Sequence, residues 1–239
     1  MDSPGFDRWD AGTENAALPE MRWLMFRNRE DAGEQLARRL KHREFRDPLV
    51  LGIPRGGLVL GAVLARELAA ELDVVLARKL RAPGQPELAL GAITETGRVY
   101  LNHPAEEVLD LWEDYLRGER RYQLGEITRR KQLYRSIRPA APIAGRSVIV
   151  TDDGIATGST MIAALRGIEG EKPYEVIVAV PVAAPDRLED VRPWCDELIC
   201  LLYPRQLWAI GQFYEDFSPV DDQQVIQLLR SNPVVSPST

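Results

Sequence analysis

The feature that most constrains the fold is the run from Ser147 to Met161, which reads SVIVTDDGIATGSTM. It starts with an apolar segment of strand length, continues with two adjacent carboxylates, Asp152 and Asp153, and ends in small residues that lead into a helix-like segment. This order predicts a buried strand, a turn and a helix, with the acidic pair at the carboxyl end of the strand. Adjacent aspartates repel each other unless a diol, a cation or a metal-bound water stabilises their charge. The N-terminus of the following helix is suited to a phosphate group.

Strand-like and helix-like segments alternate along most of the chain. The predicted strands are 48–53, 73–77, 147–151, 175–182 and 197–202, the predicted helices are 30–43, 57–72, 105–135, 159–168 and 186–191, and 88–94 with 98–102 is a predicted hairpin. This alternation predicts an α/β fold built on a doubly wound, mostly parallel sheet. Such sheets bind ligands at the carboxyl ends of their strands, where the motif at 147–161 also places its acidic pair.

Length and composition place the chain among ordinary water-soluble proteins. With 239 residues, 45% hydrophobic and 28% charged, we expect one domain at 21–230, between a flexible arm at 1–20 and a tail at 231–239. The net charge of −6 argues against a nucleic-acid partner. No apolar run approaches the roughly 20 residues that span a bilayer, so we expect no membrane partner. Two cysteines and the lack of a signal-peptide pattern favour a cytoplasmic location.

A second candidate site lies at Gly52–Gly57, which reads GIPRGG between a predicted strand and a predicted helix. Glycines such as Gly56 and Gly57 let the backbone close around an anion, and Arg55 supplies a permanent forked charge that suits pyrophosphate oxygens. By itself this pattern is weak, because glycine-rich turns between strands and helices are common.

A basic cluster follows the next predicted strand. Arg78 and Lys79 stand at its expected carboxyl end, with Arg81 just beyond, and a Pro/Gly-rich loop comes next. We interpret these cations as a mobile basic lip over the same cleft. Ordinary surface charge remains the alternative, as it does for the mixed charges of the predicted helix at 105–135, which are typical of a solvated helix.

Aromatic residues cluster after the last predicted strand. Trp208, Phe213 and Tyr214 could stack on a nucleobase. Packing of a C-terminal segment against the core explains the same residues without a ligand, and the pattern does not separate these alternatives.

Together, Gly52–Gly57, Arg78-Lys79 and the run at 148–160 resemble the pattern of type I phosphoribosyltransferases, over roughly residues 25–215. The resemblance is strongest to a functionally uncharacterised bacterial and archaeal group of that family. It implies the family's fold, with a small hood from the terminal segments, and the ligand 5-phosphoribosyl 1-pyrophosphate (PRPP). In that family the loop corresponding to 52–57 grips pyrophosphate and often contains a cis peptide, here Pro54–Arg55.

The resemblance also implies functional roles. The catalytic residues would be Arg55, Lys79, Asp152 and Asp153, and the two aspartates would hold Mg²⁺ through water. The PRPP-binding residues would be Arg55, Gly56, Gly57, Arg78, Lys79, Asp152, Asp153, Gly154, Ile155, Ala156, Thr157, Gly158, Ser159 and Thr160.

The expected function is transfer of the phosphoribosyl group to a nitrogenous base or related acceptor, with a homodimer left open. A non-catalytic regulator that binds PRPP or a nucleotide is the alternative. Ala156 stands where the hypoxanthine–guanine branch of the family has an aspartate, which disfavours a 6-oxopurine acceptor. The acceptor itself stays open.

Overall fold

The computed structural model describes residues 25–101 and 109–232, without the side chains of 86–89 and 109–111. The predicted arm at 1–20 and all but the first two residues of the predicted tail lie outside the described residues. The helices in the described part are α1 (Arg29–Leu40), α2 (Gly56–Glu67), α3 (Leu109–Arg135), α4 (Ser159–Glu169), α5 (Pro185–Val191) and α6 (Asp222–Ser231). The strands are β1 (Leu49–Gly52), β2 (Glu71–Val74), β3 (Ala77–Ala82), β4 (Gln85–Thr94), β5 (Val99–Leu101), β6 (Ser147–Thr151), β7 (Glu175–Val182) and β8 (Glu197–Leu202).

The central sheet has five strands in the order β2-β1-β6-β7-β8, and each neighbouring pair is parallel. Residues from α1, α2 and α6 pack on one face, and residues from α4 and α5 pack on the other. The predicted doubly wound α/β fold is therefore confirmed. Gly52 pairs with Thr151 in the register of β1 and β6, so the two candidate turns leave the sheet side by side.

Continuous burial explains why these two strands carry runs of apolar residues. Each residue of β1 and of β6 is buried, as expected for parallel strands covered on both faces. Leu51 and Val150 face the α4 side, whereas Val50 and Ile149 face the α1 and α2 side. Each such side chain contributes about 1.5–3 kcal/mol through burial.

A second sheet is formed by the middle of the chain. Its strands lie in the order β3-β4-β5, and each neighbouring pair is antiparallel. The predictions of a strand at 73–77 and of an irregular loop after it are wrong. The strand β2 ends at Val74, and Arg81 already belongs to β3, which turns tightly through Gly84 at φ +70° into β4. The cause is α3, because its Leu116 packs against Ala82 and Leu90 and gives this segment an apolar surface to pair upon.

The terminal segments meet over the carboxyl edge of the central sheet, as the expected hood requires. The Phe26 N–H donates to the carbonyl of Phe213, and the Glu215 N–H donates to the carbonyl of Phe26, both at 2.8 Å. The rings of Phe26 and Tyr214 are 5.3 Å apart. The terminal hood and the sheet of β3, β4 and β5 are thus two separate additions to the central sheet. Within the described residues, no helix combines the length and the apolar character that crossing a membrane would need.

Candidate active site

The two turns after β1 and β6 are in direct contact. A Cβ added to Gly56 would lie 2.6 Å from Cγ of Asp153, and one added to Gly57 would lie 2.6 Å from the carbonyl oxygen of Thr151. The Ile53 N–H donates to that same carbonyl at 3.0 Å. Only glycine allows this approach, because any side chain at position 56 would displace the carboxylate. The structure therefore brings the two sequence motifs together into one site.

The second carboxylate of the acidic pair is already paired. Both Nε and Nη2 of Arg29 lie 2.9 Å from Oδ2 of Asp153. The Arg29 side chain is 9% exposed and the Asp153 side chain 18%, so water screens this ion pair only weakly. Sequence reasoning missed Arg29, since nothing in the local sequence RNRED distinguishes it from its neighbours.

The two aspartates differ in their electrostatic surroundings. Burial and the charge of Asp153 raise the pKa of Asp152 well above its ordinary value. Burial also raises the pKa of Asp153, but Arg29 opposes the shift there. We therefore expect the first proton taken up by the pair to reside on Asp152. A ligand hydroxyl or a cation at this site would favour the charged form again.

The N-terminus of α4 offers amide groups beside the acidic pair. Its N-cap is Gly158, which has a left-handed conformation (φ +75°) and no side chain that could cap the helix. The first intrahelical bond runs from the Ile162 N–H to the carbonyl of Gly158 at 2.9 Å. The amides of Ser159 and Thr160 therefore precede the intrahelical ladder, as in helix N-termini that bind anions.

The remaining residues of this turn, Gly154 to Thr157, form the link between acidic pair and helix. The Ile155 N–H donates to the carbonyl of Val182 at 2.8 Å, and the Ile155 side chain is buried. Ala156 is exposed, and Thr157 is half-buried. A Cβ on Gly154 would lie 2.6 Å from Ile210, so this turn is also closely packed.

The turn at 52–57 holds an exposed cation. Arg55 is exposed, and its peptide bond with Pro54 is cis, as the resemblance implies. The Gly57 N–H donates to the carbonyl of Ile53 at 3.1 Å. This amide is thus engaged within the turn, which leaves the Arg55 side chain and the Gly56 amide as the donors to consider for an anion.

Two of the three cations of the expected basic lip, Arg78 and Arg81, contact the helix α3. The Arg78 guanidinium donates to the side-chain amide oxygen of Gln123 on α3, and burial lowers the pKa of Arg78. Arg81 binds both oxygens of Glu119, also on α3, at 2.7 and 3.0 Å. These contacts tie β3 to α3. Lys79, half-buried on the same strand, stays a predicted ligand of pyrophosphate.

The three aromatic candidates for base binding differ in how much of each side chain is exposed. Phe213 is 7% exposed and Tyr214 4%, whereas Trp208 is 84% exposed. The Tyr214 hydroxyl donates to the backbone carbonyl of Asp153 at 2.8 Å. Tyr214 therefore supports the acidic turn from behind, and of these three rings only that of Trp208 presents a face to solvent.

The donor set fits the magnesium ion that the resemblance implies. Two carboxylates of Asp152 and Asp153 provide the hard oxygen donors that Mg²⁺ prefers. Among the described residues, no cluster of three or more acidic, histidine or cysteine side chains could form a complete protein cage.

A cavity of about 230 Å³ lies elsewhere, between the end of β2, the turn after β4 and α4. It includes neither the acidic pair nor Arg55. One carboxylate in its lining, that of Asp73, is bound by Arg135 at 2.6 and 2.8 Å and by the Ala141 N–H at 2.9 Å. These contacts indicate a structural role for Asp73 and Arg135.

Comparison with known proteins finds a family whose model matches most of this chain. Residues 26–217 match the model of the phosphoribosyl transferase domain family. The chain is 38% identical over 205 residues to Rv0571c and MT0597 of two Mycobacterium tuberculosis strains, which carry provisional names as phosphoribosyl transferases. The match covers 86% of this chain and 46% of those proteins, so the chain spans about half the length of these relatives.

A solved structure extends the comparison to the fold. The crystal structure of TT1426 from Thermus thermophilus is 42% identical, with a TM-score of 0.79, and the match covers 87% of this chain and 99% of that one. With the matched family model spanning both contacting turns, the terminal hood and all five strands of the central sheet, this chain belongs to the phosphoribosyl transferase domain family.

Proposed function

We propose that this chain is a pentosyltransferase that moves the 5-phosphoribosyl group of PRPP to a nitrogenous base or a related acceptor and releases pyrophosphate. The observation that carries the proposal is the contact between Gly56 and Asp153. Through it, a turn suited to pyrophosphate and a turn suited to ribose hydroxyls lie against each other. The uncapped N-terminus of α4, suited to the 5′-phosphate, continues from the same turn.

Each part of PRPP then has a partner on the chain. The carboxylates of Asp152 and Asp153 accept hydrogen bonds from the ribose hydroxyls, and the residues from Thr157 to Thr160 bind the 5′-phosphate. Arg55 and Lys79 face the pyrophosphate. Asp152 and Asp153 would hold Mg²⁺ through water, and the ion would supply further positive charge beside the oxygens of PRPP.

The reaction needs no nucleophile from the protein. The C1–oxygen bond to pyrophosphate breaks, and its electron pair leaves with pyrophosphate. A nitrogen of the acceptor forms the new bond to C1 and loses its proton to water or to the released pyrophosphate. Arg55 and Lys79 stabilise the negative charge that develops on the leaving group. Removing one such preorganised donor typically costs about 3–4 kcal/mol in barrier.

Release of pyrophosphate from PRPP, measured across a panel of nucleobases and small amines, tests the proposal. An acceptor-dependent release that disappears in the Asp152→Asn, Asp153→Asn double variant supports it. The double variant should also lose the thermal protection that PRPP gives in the presence of Mg²⁺. Unchanged protection would contradict the assignment of the ribose hydroxyls to these carboxylates.

Arg55 is tested by separating the two ends of the substrate. We expect Arg55→Ala to weaken pyrophosphate binding and to spare ribose 5-phosphate. Arg66→Ala is the matched control, because Arg66 lies near the other end of α2, is 62% exposed and pairs with the adjacent Glu67. If Arg55→Ala weakened the binding of pyrophosphate and of ribose 5-phosphate equally, a folding defect would instead be indicated.

Two contacts favour the second candidate, a regulator that binds PRPP or a nucleotide without turnover. Arg78 is engaged by Gln123, and Asp153 is engaged by Arg29, so fewer charged groups are free to assist chemistry. Binding of PRPP with no pyrophosphate release from any acceptor would favour this candidate.

A further inference from the structure

We propose that Arg29 is a positioning residue of the ribose site, which acts by holding the Asp153 carboxylate and by joining it to the terminal hood. This inference rests on the proposed function. Arg29 is the first residue of α1, and Asp153 lies 124 positions away in the sequence. Two of its nitrogens converge on Oδ2 of Asp153 at 2.9 Å each.

The rest of the Arg29 guanidinium is used by the C-terminal segment. Its Nη1 donates to the carbonyl of Ser218 at 2.8 Å, and the ring of Phe217 lies 3.9 Å from its central carbon. A planar guanidinium can make these contacts at once, whereas an ammonium cannot reproduce the fork or the stacking. Arg29 therefore connects three segments: the start of α1, the acidic turn and the hood.

The neighbouring contacts restrict Asp153 from other sides. Its backbone carbonyl accepts from the Tyr214 hydroxyl, and Phe217 packs against the Tyr214 ring at 5.0 Å. Gly56 closes upon the carboxylate from the opposite turn. With Oδ2 held by Arg29, the carboxylate has a defined orientation toward a ribose hydroxyl, and such orientation governs how well a bound group can react.

A nearby arginine, Arg27, supplies a matched control. Arg27 lies two residues earlier, its side chain is 71% exposed, and it pairs with Asp31 within one helical turn. Arg27→Met therefore removes the same charge and a similar length of side chain without touching Asp153. Both variants change the net charge of the protein equally.

Binding of ribose 5-phosphate and of pyrophosphate, each measured by calorimetry, tests the inference. We expect Arg29→Met to weaken the binding of ribose 5-phosphate by about ten- to a hundredfold, as the loss of a hydrogen bond to a charged group does. Pyrophosphate binding should stay unchanged, and the Arg27→Met control should bind both ligands as the wild type does. Arg29→Lys should regain part of the affinity, because it restores the charge without the fork. An Arg29→Met protein that binds ribose 5-phosphate as the wild type does, or that loses both ligands equally, would overturn the inference.

A second comparison remains informative if Arg29→Met folds poorly because a buried carboxylate has lost its partner. The double variant Arg29→Met, Asp153→Asn leaves neither charge of the pair unpaired, whereas Asp153→Asn removes the carboxylate and leaves the Arg29 guanidinium with the Ser218 carbonyl and the Phe217 ring. If Arg29 acts through Asp153, the second substitution adds little to the loss of ribose 5-phosphate affinity. Additive losses would refute the connection. Failure of the wild-type protein to bind either ligand would instead remove the proposed function and this inference together.

Discussion

The close contact between the two turns predicts that Gly56→Ala disrupts the site. The added Cβ would lie 2.6 Å from Cγ of Asp153 and 3.0 Å from Nε of Arg29, so one of the turns has to move by roughly 1 Å to reach ordinary van der Waals separation. Overpacking of this kind costs about 1–3 kcal/mol. Displacement of Asp153 from Arg29 adds part of the cost of breaking a buried ion pair, about 3–5 kcal/mol when complete.

We therefore expect a loss of about 2–4 kcal/mol in the free energy of unfolding. For a chain of this length, that loss corresponds to a decrease of about 5–15 °C in Tm. Thermal unfolding measures the decrease, and calorimetry should show weakened binding of ribose 5-phosphate. The backbone itself does not oppose the change, because Gly56 opens α2 and alanine favours helices more than glycine does.

The controls for this substitution are Gly118→Ala and Gly125→Ala in α3. A Cβ at either position meets nothing within 4 Å. Both variants should be more stable than the wild type by about 0.5–1 kcal/mol, since alanine loses less backbone entropy in a helix. If Gly56→Ala matched these controls in Tm and retained ligand affinity, the described contact between the turns would be refuted.

Three further predictions follow from the charged and polar contacts. Burial raises the pKa of Asp152, so the folded protein keeps a proton that the unfolded chain releases, and the free energy of unfolding falls as pH rises from about 4. In Asp152→Asn this fall should be smaller, because only the weaker contribution of Asp153 remains, and a Tm difference from wild type that stays constant with pH would contradict the prediction. Burial would raise the pKa of Glu119, but hydrogen bonds from Arg81 and Gln123 outweigh this effect and lower the pKa to about 2. Glu119→Gln should therefore lower the free energy of unfolding by about 2 kcal/mol at pH 7, and denaturant unfolding should show this difference shrinking as pH falls below about 4.5 toward 2. Tyr214→Phe removes the 2.8 Å bond to the Asp153 carbonyl and should cost about 1 kcal/mol; an unchanged Tm would show that this hydroxyl does not support the acidic turn.

Local pattern was sufficient for the elements that carry the site. The acidic turn follows a strand whose residues are all buried, and the α4 helix begins at Ser159 as predicted. A strand that is buried on both faces needs a run of apolar residues. Such a run can be recognised in the sequence without knowing which strands lie beside it. The order of strands and helices likewise predicted the parallel sheet, and the family resemblance implied the cis bond at Pro54–Arg55.

The segment at 77–85 shows where local pattern fails. Its charges and its Pro/Gly content are typical of a mobile loop, yet it forms β3 and the turn into β4 because α3 lies against it. Arg81 has a carboxylate partner 38 residues away in Glu119. The local sequence carries no information about a partner so far away in the chain. The interpretation of this segment as a mobile basic lip could therefore not be corrected from the sequence.

The acidic pair illustrates the same division within a single site. Its position after β6 could be derived from the chain, because a strand, a turn and a helix are set by residues a few positions apart. That Arg29 rather than Arg27 holds Asp153, and that Gly56 closes upon it, depends on β1 pairing with β6 and on the terminal segments meeting above them. A buried charge takes whichever partner the folded chain brings within about 3 Å, and here that partner comes from 124 residues away.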